Sequence, residues 1–315
     1  MCELLALSSS RPARLTFSLR TLAARGGVTG RSHDGWGVAF YEGHDVALFR
    51  EPRPAADSAL VNFLETQGPS TGLAISHIRH ATRGEVSLAN TQPFVRPLGG
   101  RSHVFAHNGD LPGIESAVLL DRAACRPVGQ TDSELAFCVL LARLSALWLD
   151  GGPPPLESRL SVLSTFAAEL RALGPANFFY ADGDALFAHG DRRLQHNGRA
   201  EPPGLWIRQR HCPPDAASAD QGAGVVVHTD GTSVVWVASV PLTDDPWQPL
   251  ACGELVAIRD GRILTGDSAT SAPAATARVD VRTATDEEEA QYLRGEEPKN
   301  TFCPTGRGGP GPGPC

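Results

Sequence analysis

Apolar residues fall in short blocks over the first 110 residues and in two long helical periods after them. CELLALSS at the start and GLAISHIRH (72–80) are short, nearly unbroken apolar runs, as strands buried on both faces would be. GVAFYEG and DVALFRE flank Gly43 and His44 and predict a hairpin. SHVFAHNGD (102–110) reads as a strand running into Asn-Gly, a strong turn signal. TFSLRTLAAR (16–25) and SALVNFLETQ (58–67) have helical spacing. TDSELAFCVLLARLSALWL (131–149) is the clearest helix, with Thr131 and Glu134 spaced as a capping box. Past the GGPPP linker (151–155), LESRLSVLSTFAAELRAL (156–173) is a second amphipathic helix. ANFFYADGDALFAHG and ELVAIRDGRIL each predict a hairpin through Asp-Gly, and TSVVWVASV predicts a strand. Strands, then paired helices, then more strands indicate an α+β fold rather than a regular βαβ alternation.

From residue 267 the composition turns to alanine, serine and threonine, then to an acidic TDEEEA and a Gly/Pro-rich end. Such a stretch buries too little apolar surface to offset its ordering entropy. Residues 1–266 are therefore expected to form one domain, and 267–315 a disordered tail. Two further stretches read as loops: the Gly-rich 25–37 and the polar 190–224, where His211 and Cys212 are taken as residues of a solvated loop. The 41% hydrophobic and 20% charged fractions suit a soluble globular protein with a sizeable core. A net charge of −7 argues against a non-specific nucleic-acid binder. No apolar run approaches the roughly 20 residues that span a bilayer, and the first residues lack the pattern of a secretory signal. The expectation is a cytoplasmic protein without nucleic-acid or membrane partners. Seven cysteines at irregular spacing, with no CxxC pair, suggest neither a zinc ribbon nor a disulfide scaffold.

Four places carry chemistry, each with a plainer reading beside it. Cys2 is either a small core residue or a nucleophile. Removal of Met1 would put an α-amine, with a pKa of about 7.7–8.0, on the same residue as the thiol, where it can act as the base. Arg79 is either a surface arginine or a fork for a substrate carboxylate, sharing a strand face with Ile75 and His77. The side-chain amide of Asn108 and the backbone N–H of Gly109 make either a turn or an oxyanion hole. Asp132, in the first turn of the clearest helix, either complements the helix dipole or accepts a substrate ammonium. A zinc site built on HIRH with His103 or His107 is disfavoured, because His77 and His80 would leave a strand on opposite faces and no HExxH is present. No cofactor or metal is expected. A nucleophile, an oxyanion hole, a carboxylate fork and an ammonium acceptor together describe one ligand: an amide or acyl compound with an α-amino acid head. Glutamine and γ-glutamyl compounds are the common examples.

The set MC, DGWGVAFY (34–41), HIRHATRGEVSLANTQPF (77–94), FAHNGDL (105–111) and GQTDSELAF (129–137), extending to PLTDDPWQPL (241–250), resembles the class II glutamine amidotransferases. These are N-terminal-nucleophile hydrolases, and the closest likeness is to their small stand-alone members. The resemblance implies a four-layer αββα sandwich, with two antiparallel sheets between helix layers. It implies Cys2 as nucleophile, Arg79 on the glutamine carboxylate, Asn108 and Gly109 on the tetrahedral intermediate, and Asp132 on the α-ammonium. Thr82 falls in the same block and is assigned to the pocket. Arg83 stands where other branches often carry histidine, and Glu3 where many stand-alone members carry arginine. The implied reaction is hydrolysis of a linear amide C–N bond through a γ-glutamyl thioester. Relatives divide between ammonia delivery to a separate synthetase partner and free γ-glutamyl amidohydrolysis; a non-catalytic regulatory protein on the same fold is the contrasting reading.

Overall fold

The computed structural model describes residues 2–14, 34–117, 125–149, 152–195, 197–211 and 232–264. Period-two alternation builds most of it, because most strands bury both faces and each face serves a different layer. In the first half these are β1 (Glu3–Arg14), β2 (Gly35–Glu42), β3 (Asp45–Glu51), helix α1 (Ala59–Gln67), β4 (Ser70–Arg79), β5 (Phe94–Leu98), β6 (Arg101–Gly109) and the short helix α2 (Ile114–Ala117). Helices α3 (Asp132–Leu144) and α4 (Leu156–Leu173) follow. The rest is strand: β7 (Ala176–Ala181), β8 (Leu186–Gly190), β9 (Arg193–Leu194), β10 (Ala200–Glu201), β11 (Trp206–His211), β12 (Ser233–Ala238), β13 (Gln248–Pro249), β14 (Glu254–Arg259) and β15 (Arg262–Leu264).

Among the described residues the strands form a seven-stranded sheet in the order β13-β11-β12-β1-β4-β2-β3, a six-stranded sheet in the order β15-β14-β8-β7-β6-β5, and a β9–β10 ribbon. Neighbouring strands in both large sheets pair antiparallel, as in Leu5↔Ala238, Glu3↔Ile78 and Asn108↔Asn177. Leu4 and Ala6 point into an apolar layer shared with Ala106, Phe179 and Ala188 of the second sheet. Leu5 and Leu7 point the other way, into a layer with Trp36, Trp236 and the α1 residues Val61 and Leu64. The outer face of the second sheet packs Phe105, Phe178 and Phe187 against Phe137 of α3 and Phe166 of α4. The stack is thus helix, sheet, sheet, helix, the αββα sandwich expected.

Most of the pattern-based elements are found, and α4 spans the residues expected of it. Four differ. Asn108-Gly109 is not a hairpin turn but the end of β6, still paired with β7 through Gly109↔Ala176. Gly109 is glycine for want of room, since a Cβ there would lie 1.8 Å from the Pro175 carbonyl oxygen. α3 ends at Leu144, short of 149. Its capping box is half made: Thr131 Oγ1 accepts the Glu134 N–H at 3.2 Å, while the Glu134 carboxylate turns to the N–H groups of Val128 (3.0 Å) and Gly129 (2.7 Å). The solvated loop expected over 190–224 instead holds β9, β10 and β11 in its described part, with His211 the last residue of β11 and its Nδ1 2.9 Å from Ser233 Oγ. Short polar strands of this kind carry no apolar period, and β11 finds its partners, β12 and β13, well beyond it in sequence. The expected helix at 16–25, the loop at 25–33, Cys212 and the tail at 267–315 lie outside the described residues.

Candidate active site

Cys2 enters the central strand of the seven-stranded sheet. One step beyond the Glu3↔Ile78 pair, the register sets Cys2 opposite Arg79, the last residue of β4. The Cys2 thiol is held by backbone at that strand end: Sγ accepts the His80 N–H at 3.1 Å and lies 3.3 Å from the His80 carbonyl oxygen as donor. Burial pushes its pKa up, opposed by the His80 N–H and by the Arg79 charge. A resting thiol, rather than thiolate, is the result, and such a group needs a base to become a nucleophile.

The second sheet supplies Asn108, whose Nδ2 donates to the Cys2 carbonyl oxygen at 2.6 Å. This contact joins the two sheets at the site. Asn108 is itself steadied by Asn177, whose Nδ2 donates to the Asn108 carbonyl at 3.3 Å. Asp132, 7% exposed at the start of α3, accepts the Leu111 N–H at 2.8 Å through Oδ2 and the Ser133 N–H at 2.8 Å through Oδ1. It is therefore tied to the chain just past Asn108 and Gly109.

Arg79 is 3% exposed, and its Nη2 donates to the carbonyls of Arg83 (3.0 Å) and Gly84 (3.3 Å). Its Nη1 is buried and finds no hydrogen-bond partner among the described residues. A buried guanidinium with an unused donor is an anion acceptor in waiting, since an unmet buried donor costs about 1–3 kcal/mol. Cys2, Arg79, Asn108, Gly109 and Asp132 are thus joined by one chain of hydrogen bonds and backbone. Thr82 lies exposed on the loop after β4, with no hydrogen bond to that set among the described residues. Arg83 folds back instead, its Nε 2.8 Å from Asp110 Oδ1, and so ties this loop to the residue after Gly109.

Several residues that hold the site carried no assigned role in the sequence. Asp34, of DGWG, accepts the Ala81 N–H at 2.7 Å and stands 3.5 Å from His80 Nδ1. Gln92 clamps the His107 backbone at both ends, Oε1 accepting its N–H at 2.7 Å and Nε2 donating to its carbonyl at 3.2 Å. Asn90 reaches the Gln130 N–H at 2.7 Å. His107 Nδ1 is 2.9 Å from Ser133 Oγ, beside Asp132, and burial holds the imidazole neutral. Glu3 forms a buried ion pair with Arg193 at 2.9 Å. The signal for the first three was in the quoted motifs themselves: Asn90 and Gln92 are buried amides and Asp34 a part-buried carboxylate where a turn residue would serve.

Among the described residues no group of three or more His, Cys, Asp or Glu side chains could hold a metal, and no helix is long and apolar enough to cross a membrane.

A two-sheet αββα sandwich with a cysteine opening its central strand is the architecture of the N-terminal-nucleophile type of amidotransferase. Solved structures at low identity share that fold: the glutamine phosphoribosylpyrophosphate amidotransferase of B. subtilis superposes with a TM-score of 0.52 at 15% identity, over 84% of this chain and 48% of that one. The chain belongs to the class II glutamine amidotransferases, whose family model matches residues 1–281. It is 36% identical over 258 residues to YafJ of Escherichia coli K12, a provisionally named glutamine amidotransferase, covering 81% of this chain and 96% of that one. It is similar as well to a 2.0 Å crystal structure described as a predicted glutamine amidotransferase from Pseudomonas aeruginosa PA01. There the TM-score is 0.60 and the identity 34%, over 84% of this chain and all of that one.

Proposed function

We propose that this protein is a cysteine-nucleophile amidohydrolase that cleaves the γ-amide of glutamine or of a γ-glutamyl compound. The observation that carries the reading is the Asn108 amide 2.6 Å from the backbone of Cys2, with the unused Arg79 Nη1 at the neighbouring strand end. In this reading Arg79 binds the substrate carboxylate, Asp132 its α-ammonium, and Thr82 borders the pocket. The amine freed by loss of Met1 takes the Cys2 thiol proton, and sulfur attacks the amide carbon. Asn108 Nδ2 and the Gly109 N–H hold the oxyanion. Collapse breaks the C–N bond, the leaving nitrogen takes the proton, and a γ-glutamyl thioester is left on Cys2. Water adds to the thioester, glutamate departs and the thiol is restored. No step uses a metal or organic cofactor, and the reaction suits a cytoplasmic enzyme.

The test compares wild type with Cys2→Ala in a metabolite extract by mass spectrometry. One γ-glutamyl compound or glutamine should disappear, with glutamate formed, in the wild type alone. Full activity in Cys2→Ala overturns the proposal. Stoichiometric capture of an amide-forming synthetase would assign the released ammonia to that partner.

A further inference from the structure

The loop after β4 carries an ion pair that no step of the proposed reaction uses. Arg83 Nε lies 2.8 Å from Asp110 Oδ1, and Glu115 Oε1 stands 3.9 Å from Arg83 Nη1. Residues 80–85 form neither helix nor strand, so side chains pin the loop in place. At one end Asp34 accepts the Ala81 N–H at 2.7 Å, and at the other Asn90 Nδ2 donates to the Glu85 carbonyl at 3.0 Å. Between those ends the carbonyls of Arg83 and Gly84 accept from Arg79 Nη2, at 3.0 and 3.3 Å. The Arg83 side chain ties this middle stretch to Asp110. The Asp110 backbone is a firm anchor: a Cβ on Gly174 would lie 2.1 Å from its carbonyl oxygen, and Leu111 after it donates its N–H to Asp132 at 2.8 Å.

These contacts close a circuit round the site. It runs from Cys2 to Asn108, along the chain to Asp110, across to Arg83, and through the Arg83 carbonyl to Arg79, which the strand register sets opposite Cys2. Arg83 could serve a substrate carboxylate in two ways. As a free charge it would attract the anion directly, but the Asp110 carboxylate at 2.8 Å offsets that charge. Held by Asp110, it acts through Arg79 instead. The two loop carbonyls engage Nη2 and leave Nη1, which is buried and has no hydrogen-bond partner among the described residues, to meet the anion.

We propose that Arg83 is a positioning residue for the carboxylate fork: its ion pair with Asp110 holds the two loop carbonyls that aim the Arg79 guanidinium at the substrate. The pair is half in solvent, at 35% and 54% side-chain exposure, so its strength is that of a surface ion pair. Losing it leaves the loop anchored at Ala81 and Glu85 and frees only the stretch that touches Arg79. The cost therefore falls on binding of the amino-acid head and not on folding or on the attack by Cys2.

The experiment has two arms on the full chain, and only the first rests on the proposed function. Steady-state glutamate release from glutamine is compared for wild type, Arg83→Gln, Asp110→Asn, the double variant and Arg83→Lys. In each single neutral variant KM should rise about two- to fivefold, with kcat within about twofold of wild type. The double variant should lose no more than either single one, because the pair acts as a unit. Arg83→Lys, which keeps a cation for Asp110, should recover most of the affinity. Asp110→Asn separates the two roles: a charge that merely attracts the substrate would bind it as well or better once Asp110 is neutral. An unaltered or lower KM in Asp110→Asn, additive losses in the double variant, or a loss confined to kcat overturns the proposal. The second arm needs no substrate. Phenylglyoxal modification of Arg79, followed by peptide mass spectrometry, should run several-fold faster in Arg83→Gln and in Asp110→Asn than in wild type. Equal rates overturn the proposal. A wild type that releases no glutamate would count against the proposed function, with the labelling still judging Arg83.

Discussion

The side-chain amide of Asn108 donates to the backbone carbonyl of Cys2 at 2.6 Å, so one residue of the second sheet fixes the residue that leads into β1 of the first. The same amide is the donor expected to hold the oxyanion. In Asn108→Ala, kcat should fall by about 10²–10³, the usual loss for one oxyanion donor, with a smaller change in KM. Steady-state glutamate release measures both, and a loss confined to KM would speak against the assignment.

Asp132 and Arg79 should report on binding of the amino-acid head rather than on the chemistry. Asp132→Asn keeps an oxygen acceptor for the Leu111 N–H but removes the charge that meets an ammonium. Its KM for glutamine should rise by about tenfold or more, equivalent to at least about 1.4 kcal/mol. A compound lacking the α-amine should lose little between wild type and variant, and equal losses on both compounds would refute the role.

The Glu3–Arg193 pair is buried on both sides, at 9% and 8% side-chain exposure. Removing one partner of such a pair leaves the other desolvated. Glu3→Ala should therefore cost about 3 kcal/mol in urea unfolding. Glu3→Gln, which retains an acceptor, should cost less.

Acid should destabilise the protein through its buried imidazoles. Burial lowers His77 to about 3, and His103 and His189 to about 4, from 6.5. The folded state keeps these rings neutral, so below about pH 6.5 the unfolded chain binds more protons and stability falls with pH. Each group contributes at most about 1.4 kcal/mol per pH unit, and the loss accrues from about pH 6.5 down to about pH 4 for His103 and His189 and about pH 3 for His77. Urea midpoints taken across that window should drop steadily; a flat profile would contradict the neutral assignments.

Much of this architecture was readable in advance because alternation and helical period are local signals. Leu4 to Leu7, Phe178 to Ala181 and the 156–173 helix declare themselves within a few residues. The candidate site residues were singled out for a different reason: a thiol, an amide, a guanidinium and a carboxylate would together suit one substrate whatever their distances. What escaped was the wiring. Asn-Gly at 108–109 looks like a turn until the Pro175 carbonyl packs against it, and Glu134 looks like a capping partner until Val128 and Gly129 take its oxygens. Glu3 and Arg193 are 190 residues apart in sequence, and no local pattern pairs them.

The placement of β1 has a kinetic consequence. It is the fourth of seven strands and lends side chains to both apolar layers of its sheet. Amides in such a strand exchange with solvent only when the whole cooperative unit opens. The proposed nucleophile is therefore anchored to the slowest-opening part of the molecule. Heat inactivation should follow global unfolding with no earlier local melting at Cys2, and the protein should remain active up to the temperature at which it ceases to be folded.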